Sequence, residues 1–262
     1  MKTVFITGAR RGLGKVLAYK FSSKGFNIVL NDFEEKGILE DVKNDLESKY
    51  GNKCYVYFGD ISNEEVIIRM LKELKSNNIT IDVLINNAAI VTDIDLDNRD
   101  TKVFEETMHN NVTGTYLMCK YIGKYMYETK ELSRIINVSS TNGIDCNFPT
   151  SIDYDASKAA INSLTKNFAI EYAPRILVNA VAPAWMNTEM NQDLPQDLIE
   201  AETSKIYLER FAEPEEVANF IYYLSSDENT YINNQIIVID GGYRGWLYAW
   251  SWTRNNNTKW RK

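Results

Sequence analysis

The sequence predicts an α/β fold, a single domain on a doubly wound parallel sheet of about seven strands with helices on both faces. Three observations carry that prediction. Short apolar runs alternate with helical patterns from the first residues to about residue 240, the order that builds a parallel sheet covered on both sides. No linker rich in Gly, Ser or Pro and no internal repeat interrupts the alternation. The 262 residues are ample for one large core.

The elements follow in order. Residues 2–7 read as the first strand. Gly8-Ala9-Arg10-Arg11-Gly12-Leu13-Gly14 follows at once and opens a helix with apolar positions Leu13, Val16, Leu17 and Phe21. The second strand spans 26–31, with Asp32 at its end, and the next helix 34–50. The third strand is 54–58, its helix 64–76, and the fourth strand 81–86. A long helix over 101–127 carries Phe104, Met108, Val112, Tyr116 and Cys119 down one side. The poor helix formers Asn110 and Asn111 in its middle mark a local irregularity or a function. The fifth strand is 134–139, followed by a helix over 152–172 and the sixth strand at 176–181. Pro214 begins a helix to 225, where the first turn tolerates a proline, and 235–240 is the seventh strand.

Composition narrows the function. The net charge is −7, which does not suggest nucleic acid as a partner. Residues 244–262 hold five basic side chains, no acidic one and four of the five tryptophans; with those five set aside, 1–243 stands at −12. No apolar run reaches the roughly 20 residues of a membrane span, and no signal peptide is evident. Cys54, Cys119 and Cys146 have neither disulfide-framework nor metal-site spacing. His109 is the sole histidine, which disfavours a His-based zinc site or a Ser-His-Asp triad. The expectation is a soluble, reduced, cytoplasmic protein without a metal.

Two stretches bear chemistry. A glycine-rich turn between strand and helix aims backbone N–H groups and the positive helix end at a pyrophosphate. Asp32 lies 24 residues after Gly8, where a carboxylate accepts hydrogen bonds from an adenine ribose or caps the next helix. The second stretch is Tyr154-Asp155-Ala156-Ser157-Lys158, a phenol and an ammonium four apart on one helix face. A phenol beside a fixed positive charge ionises below its usual value of about 10 and becomes fit for acid–base work.

T-G-x-x-x-G-x-G over residues 7–14, together with Tyr154-x-x-x-Lys158, resembles the short-chain dehydrogenase/reductase family in its compact single-domain branch. The resemblance runs from about residue 2 to 243 and implies a Rossmann-type sheet. It implies hydride transfer between a nicotinamide and a carbonyl or secondary alcohol, with Tyr154 as acid–base group. Lys158 and the positive charge of the oxidised nicotinamide would lower the phenol's pKa, Lys158 would also hold the nicotinamide ribose, Ser140 would orient the substrate oxygen, and Asn111 would support a water relay to Lys158. Ser140 is chosen over Ser139, because neighbours on a strand point to opposite faces. Gly143 completes the family's S-x-x-G.

The same resemblance places the cofactor on Gly8, Arg10, Arg11, Gly12, Leu13, Gly14, Asp32, Asp60, Ile61, Asn87, Ala88, Ala89, Tyr154, Lys158, Pro183 and Thr188. Ala89 and Ala184 stand where the family pattern has glycine. Asp32 favours NAD, since a carboxylate repels the extra phosphate of NADP; Arg11 points to NADP. Residues 185–211 are expected to form a lid and 144–152 the opposite pocket wall. Neither stretch holds a basic cluster that would mark a phosphorylated or acyl-carrier substrate. The partners expected are a small carbonyl or alcohol and further copies of the chain, as a dimer or tetramer. A 3-oxoacyl-[acyl-carrier-protein] reductase is the closest alternative enzyme, and a non-catalytic cofactor-sensing protein the alternative from another class.

Overall fold

The computed structural model describes residues 1–243 other than 35, 146 and 147; the basic tryptophan-rich tail and Cys146 lie outside the described residues. Seven strands pair in parallel: β1 (Thr3–Thr7), β2 (Asn27–Asp32), β3 (Cys54–Phe58), β4 (Val83–Asn86), β5 (Ser133–Val138), β6 (Ile176–Pro183) and β7 (Ile236–Ile239). Their order is β3-β2-β1-β4-β5-β6-β7. The chain winds outward from β1 in one direction, then returns to β4 and winds in the other. The reversal opens a crevice at the carboxyl ends of β1 and β4, where ligands bind in such sheets.

The strands are apolar on both faces because helices cover both. On one face Val4 and Ile6 pack with α1 (Gly12–Ser23), α2 (Lys36–Tyr50) and α9 (Pro214–Ser225). On the other, Phe5 and Val29 meet α3 (Glu64–Ser76), α5 (Gly114–Met118), α6 (Lys124–Thr129) and α7 (Ile152–Tyr172). The alternation Val4, Phe5, Ile6 is the two-residue period of a strand read into two cores. Among the described residues, no helix is long and apolar enough to cross a membrane.

The long helix predicted over 101–127 differs from a plain rod. It runs as α4 (Thr101–Met108), α5 and α6, with π turns at His109–Thr113 and Cys119–Gly123 between them. Each π turn inserts a residue and rotates the following face by roughly 100°. The stripe Phe104, Met108, Val112, Tyr116, Cys119 is therefore not one core face. Phe104 and Tyr116 are exposed, while Leu117, Met118, Cys119, Ile122, Tyr125 and Met126 are buried. The first π turn falls on the Asn110–Asn111 pair. The stretch 185–211 contains α8 (Gln196–Thr203).

Phe21 of α1 is fully buried, edge-on to Phe26 at 5.1 Å and to Tyr222 of α9 at 5.4 Å. This cluster clamps α1, and with it the glycine turn, to α9. Phe21→Ala is expected to cost about 3–5 kcal/mol, read as a lower urea midpoint at unchanged slope.

Candidate active site

The functional side chains gather at the carboxyl edge of the sheet. The glycine turn leaves β1 and enters α1 at Gly12. A Cβ on Gly14 would lie 2.0 Å from the Gly8 carbonyl oxygen, so only glycine lets α1 approach the strand end this closely. The turn is tied to the exit of β4. Thr7 Oγ1 accepts from Asn87 N (2.9 Å) and Ala88 N (3.0 Å), and Asn87 Nδ2 donates to the carbonyls of Thr7 (3.0 Å) and Gly8 (3.1 Å). Asn87 thus holds the turn that was expected to hold the cofactor. Ala89 and Ala184 take no positive φ, so alanine sits in both places without backbone strain.

Arg11 caps α1 without a side-chain acceptor, and the first turn has no acidic residue of its own. Its N–H groups lack intrahelical partners. The Gly12 N–H donates instead to Glu189 Oε2 at 3.0 Å, from the stretch after β6. Thr188 also lies against Gly12, its Cβ 3.9 Å from where a Gly12 Cβ would stand. Pro183, the last residue of β6, is buried.

At the end of β2, Asp32 Oδ1 accepts from Phe33 N (2.9 Å) and Glu34 N (3.3 Å), and Oδ2 from Arg10 N (3.3 Å). The Arg10 guanidinium pairs with Asp32 at 3.8 Å and with Glu34. Asp60 lies beyond β3, where Gly59 N donates to the Asp32 carbonyl at 3.0 Å. Its Oδ1 takes both the N–H and the hydroxyl of Ser62, each at 2.8 Å; the cap of α3 is Asn63. Ile61 is buried against Gly114.

The chemical half forms where β5 meets α7. Ser140 caps the turn Thr141–Gly143 by accepting from Asn142 N, and it stands near enough to the Tyr154 phenol to pull its pKa down. A Cβ on Gly143 would stand 2.5 Å from the Lys158 carbonyl carbon, so this glycine lets the serine turn lie directly on α7. Ser139 faces the other way, donating to the Lys158 carbonyl at 3.2 Å. Lys158 is 2% exposed; its Nζ donates to the Val138 carbonyl at 2.8 Å and lies 5.3 Å from the centre of the Tyr154 ring.

Burial sets both ionisations. It pushes the Tyr154 phenol up to about 12, against a downward pull from Ser140 and with smaller upward pushes from Asp155 and Asp93. It pushes the Lys158 ammonium down to about 7. In the cofactor-free protein desolvation disfavours both charged forms.

Asn111 is fully buried in the first π turn. Its Oδ1 accepts from Ile90 N (2.8 Å), and its Nδ2 donates to the Ile90 carbonyl (2.9 Å) and to Ser157 Oγ (3.0 Å). The amide therefore holds the exit of β4 to α7 at Ser157, one residue from Lys158. The structure thus brings Ser140, Tyr154 and Lys158 together, with Asn111 tied in through Ser157. Sequence reading missed Glu189, Glu34, Ser157, Arg99 and Asp153, whose partners are distant in the chain or carry no motif.

A phosphate-binding turn at a topological switch, with a serine, a phenol and a lysine converging on the next strand ends, defines a nucleotide-dependent α/β oxidoreductase. Residues 8–244 match the family described as Enoyl-(Acyl carrier protein) reductase. The 3-oxoacyl-[acyl-carrier-protein] reductase FabG of Thermotoga maritima is 36% identical over 242 residues, 92% of this chain and 97% of that protein. A short-chain type dehydrogenase/reductase from Mycobacterium marinum superposes with a TM-score of 0.87 at 31% identity, over 93% of this chain and 95% of that one. ElxO with NADP bound superposes with a TM-score of 0.83 at 32% identity, over 92% and 98%. The chain belongs to the short-chain dehydrogenase/reductase family, the NAD(P)-dependent oxidoreductases of CH–OH and carbonyl groups.

The residues present fit such a cofactor. The open first turn of α1 already holds one anion, the Glu189 carboxylate, where a pyrophosphate would lie.

Two predictions follow from the charges at the site. Between about pH 7 and 10.5 the unfolded chain binds the Lys158 proton and the folded chain releases it, so this group's contribution to stability rises with pH across that window. Lys158→Met is expected to flatten that part of the rise, measured by urea unfolding across the window. Glu189→Gln removes a competing charge from the turn and is expected to tighten NADH binding by roughly twofold to fivefold, read by fluorescence titration.

Proposed function

We propose that this enzyme reduces a ketone, or oxidises the matching secondary alcohol, with NAD(H) as the preferred cofactor. The observation that carries the reading is the convergence of Tyr154, Ser140 and Lys158 beside the glycine turn. A bound nicotinamide supplies or accepts the hydride. Tyr154 gives its proton to the carbonyl oxygen in reduction and takes it from the hydroxyl in oxidation. Ser140, beside the phenol, orients the same oxygen. A phenol held high by burial keeps its proton until a substrate oxygen and a positive charge stand beside it. Lys158 lies under the Tyr154 ring, within reach of a ribose on the same side. Asn111 holds the loop after β4 in register with α7.

The preference for NAD rests on Asp32 and Glu34 at the end of β2. Arg10 lies between the two carboxylates and is already paired with both. A 2′-phosphate placed there would meet two negative charges. A second reading, a 3-oxoacyl thioester reductase using NADPH, draws on the Thermotoga maritima relative and on Arg11. In either case we take 1–243 as the catalytic unit, 185–211 as its lid and the working form as a cytoplasmic dimer or tetramer.

The test is consumption of NADH and of NADPH, side by side, against ketones, sugars, steroids and 3-oxoacyl thioesters. NADH turnover of a ketone supports the reading, and NADPH turnover of the thioester alone replaces it with the second. Tyr154→Phe is expected to keep cofactor binding and to lose roughly a hundredfold or more in kcat; retained turnover would remove Tyr154 from its role. Binding without turnover of any carbonyl would favour a sensing protein.

A further inference from the structure

We infer that Arg99 and Asp153 are a positioning pair for the reaction, a buried ion pair that sets the backbone of Tyr154 against the loop after β4. The inference rests on the acid–base role proposed for Tyr154. The two side chains are 3% and 0% exposed, and Arg99 Nη1 stands 2.5 Å from Asp153 Oδ1.

The carboxylate reaches Tyr154 through its backbone. Asp153 Oδ1 accepts the Tyr154 N–H at 2.9 Å, and Oδ2 accepts the Thr107 hydroxyl from α4 at 2.8 Å. Tyr154 is the third residue of α7, so its N–H has no intrahelical partner. Ser151, at the cap, accepts no first-turn N–H, its hydroxyl donating to Asp155 Oδ1 at 3.0 Å. Asp153 supplies the missing acceptor, and its charge suits the positive end of the helix. The Tyr154 carbonyl is held as well, accepting from Ser157 Oγ at 2.7 Å.

Both holds run to the same loop. Arg99 Nη2 donates to the carbonyls of Thr92 (2.8 Å), Ile94 (3.1 Å) and Thr150. At the other end of the loop, Asn111 takes the N–H and the carbonyl of Ile90 and donates to Ser157 Oγ. The loop over 90–99 is thus tied to the Tyr154 N–H through Arg99 and Asp153, and to the Tyr154 carbonyl through Asn111 and Ser157. A buried ion pair is weak ground for a stability argument, because desolvation offsets the attraction. Its directional use is clearer. The planar guanidinium fork sets Nη1 against the carboxylate and Nη2 among the three carbonyls, a fixed two-point geometry that a single ammonium nitrogen does not reproduce.

The test compares Arg99→Met, Asp153→Asn, the double variant and Arg99→Lys with the wild type. The readouts are kcat on the carbonyl found above, NADH and NADPH binding by fluorescence, and amide hydrogen exchange at Tyr154. Each neutralising single variant is expected to lower kcat by roughly tenfold to a hundredfold, as a misplacement near 1 Å does. Cofactor affinity should stay within about twofold, since the glycine turn is untouched. Exchange at the Tyr154 amide should speed up. The double variant should lose less than the two singles multiplied together, because the pair acts as one unit. Arg99→Lys keeps a charge without the fork, so it should fold and fall between wild type and Arg99→Met in kcat. Unchanged kcat, or a kcat loss matched by equal loss of cofactor affinity, would overturn the inference. If the wild type proves to have no turnover, or Tyr154→Phe retains it, the acid–base role fails separately. The positioning claim then stands or falls on Tyr154 amide exchange in Arg99→Lys.

Discussion

Four hydrogen bonds between Thr7 and Gly8 on one side and Asn87 and Ala88 on the other tie the ends of β1 and β4 at the point where the strand order turns. The Thr7 hydroxyl takes the backbone N–H of Asn87 and Ala88, and the Asn87 amide returns two protons to the carbonyls of Thr7 and Gly8. Thr7 is fully buried and the other groups partly so, so losing a partner leaves a donor or acceptor poorly satisfied. On one side of the tie the glycine turn opens into α1 and the phosphate cradle. On the other the chain runs from Ala89 into the loop that Asn111 and Arg99 hold. The junction thus sets the spacing between the glycine turn and the strand ends that carry Ser140, Tyr154 and Lys158.

Burial governs the chemistry on the second side. One cause raises Tyr154 and lowers Lys158. The described partner of the Lys158 ammonium is a backbone carbonyl, not a carboxylate, so nothing there restores its usual basicity. A site built this way disfavours the charged form of both groups and responds strongly to any charge brought beside it. The anion cradle behaves in a related way. Glu189 lies on the Gly12 N–H, so the positive end of α1 already faces a carboxylate.

Much of this was legible in the residues. The glycine turn, the Tyr154–Lys158 pair and Ser140 ahead of Gly143 are local patterns, with spacings that follow from one turn of helix or one end of a strand. The irregularity at Asn110–Asn111 showed in helix propensity. The buried face of 101–129 did not, because two π turns rotate the register and a fixed 3.6-residue period cannot follow them. Arg99 and Asp153 were equally silent. Each reads as an ordinary surface charge until folding brings a loop after β4 onto the first turn of α7.

The sequence by itself determined the strand–helix alternation, the parallel sheet, the position of the glycine turn and the placing of Tyr154 and Lys158 on one face of a helix. Hydrophobic periodicity and short-range spacing are written directly in the chain, and they decide these features. Only the tertiary structure decided which face of the long helix is buried, how Arg10 lies between Asp32 and Glu34, and that Glu189 reaches Gly12 across 177 residues. It also decided the direction in which Tyr154 and Lys158 shift. Charge in the sequence predicts attraction between the two, but the energy of an ion depends on the water removed around it. That removal is a property of packing in three dimensions, which no local pattern encodes.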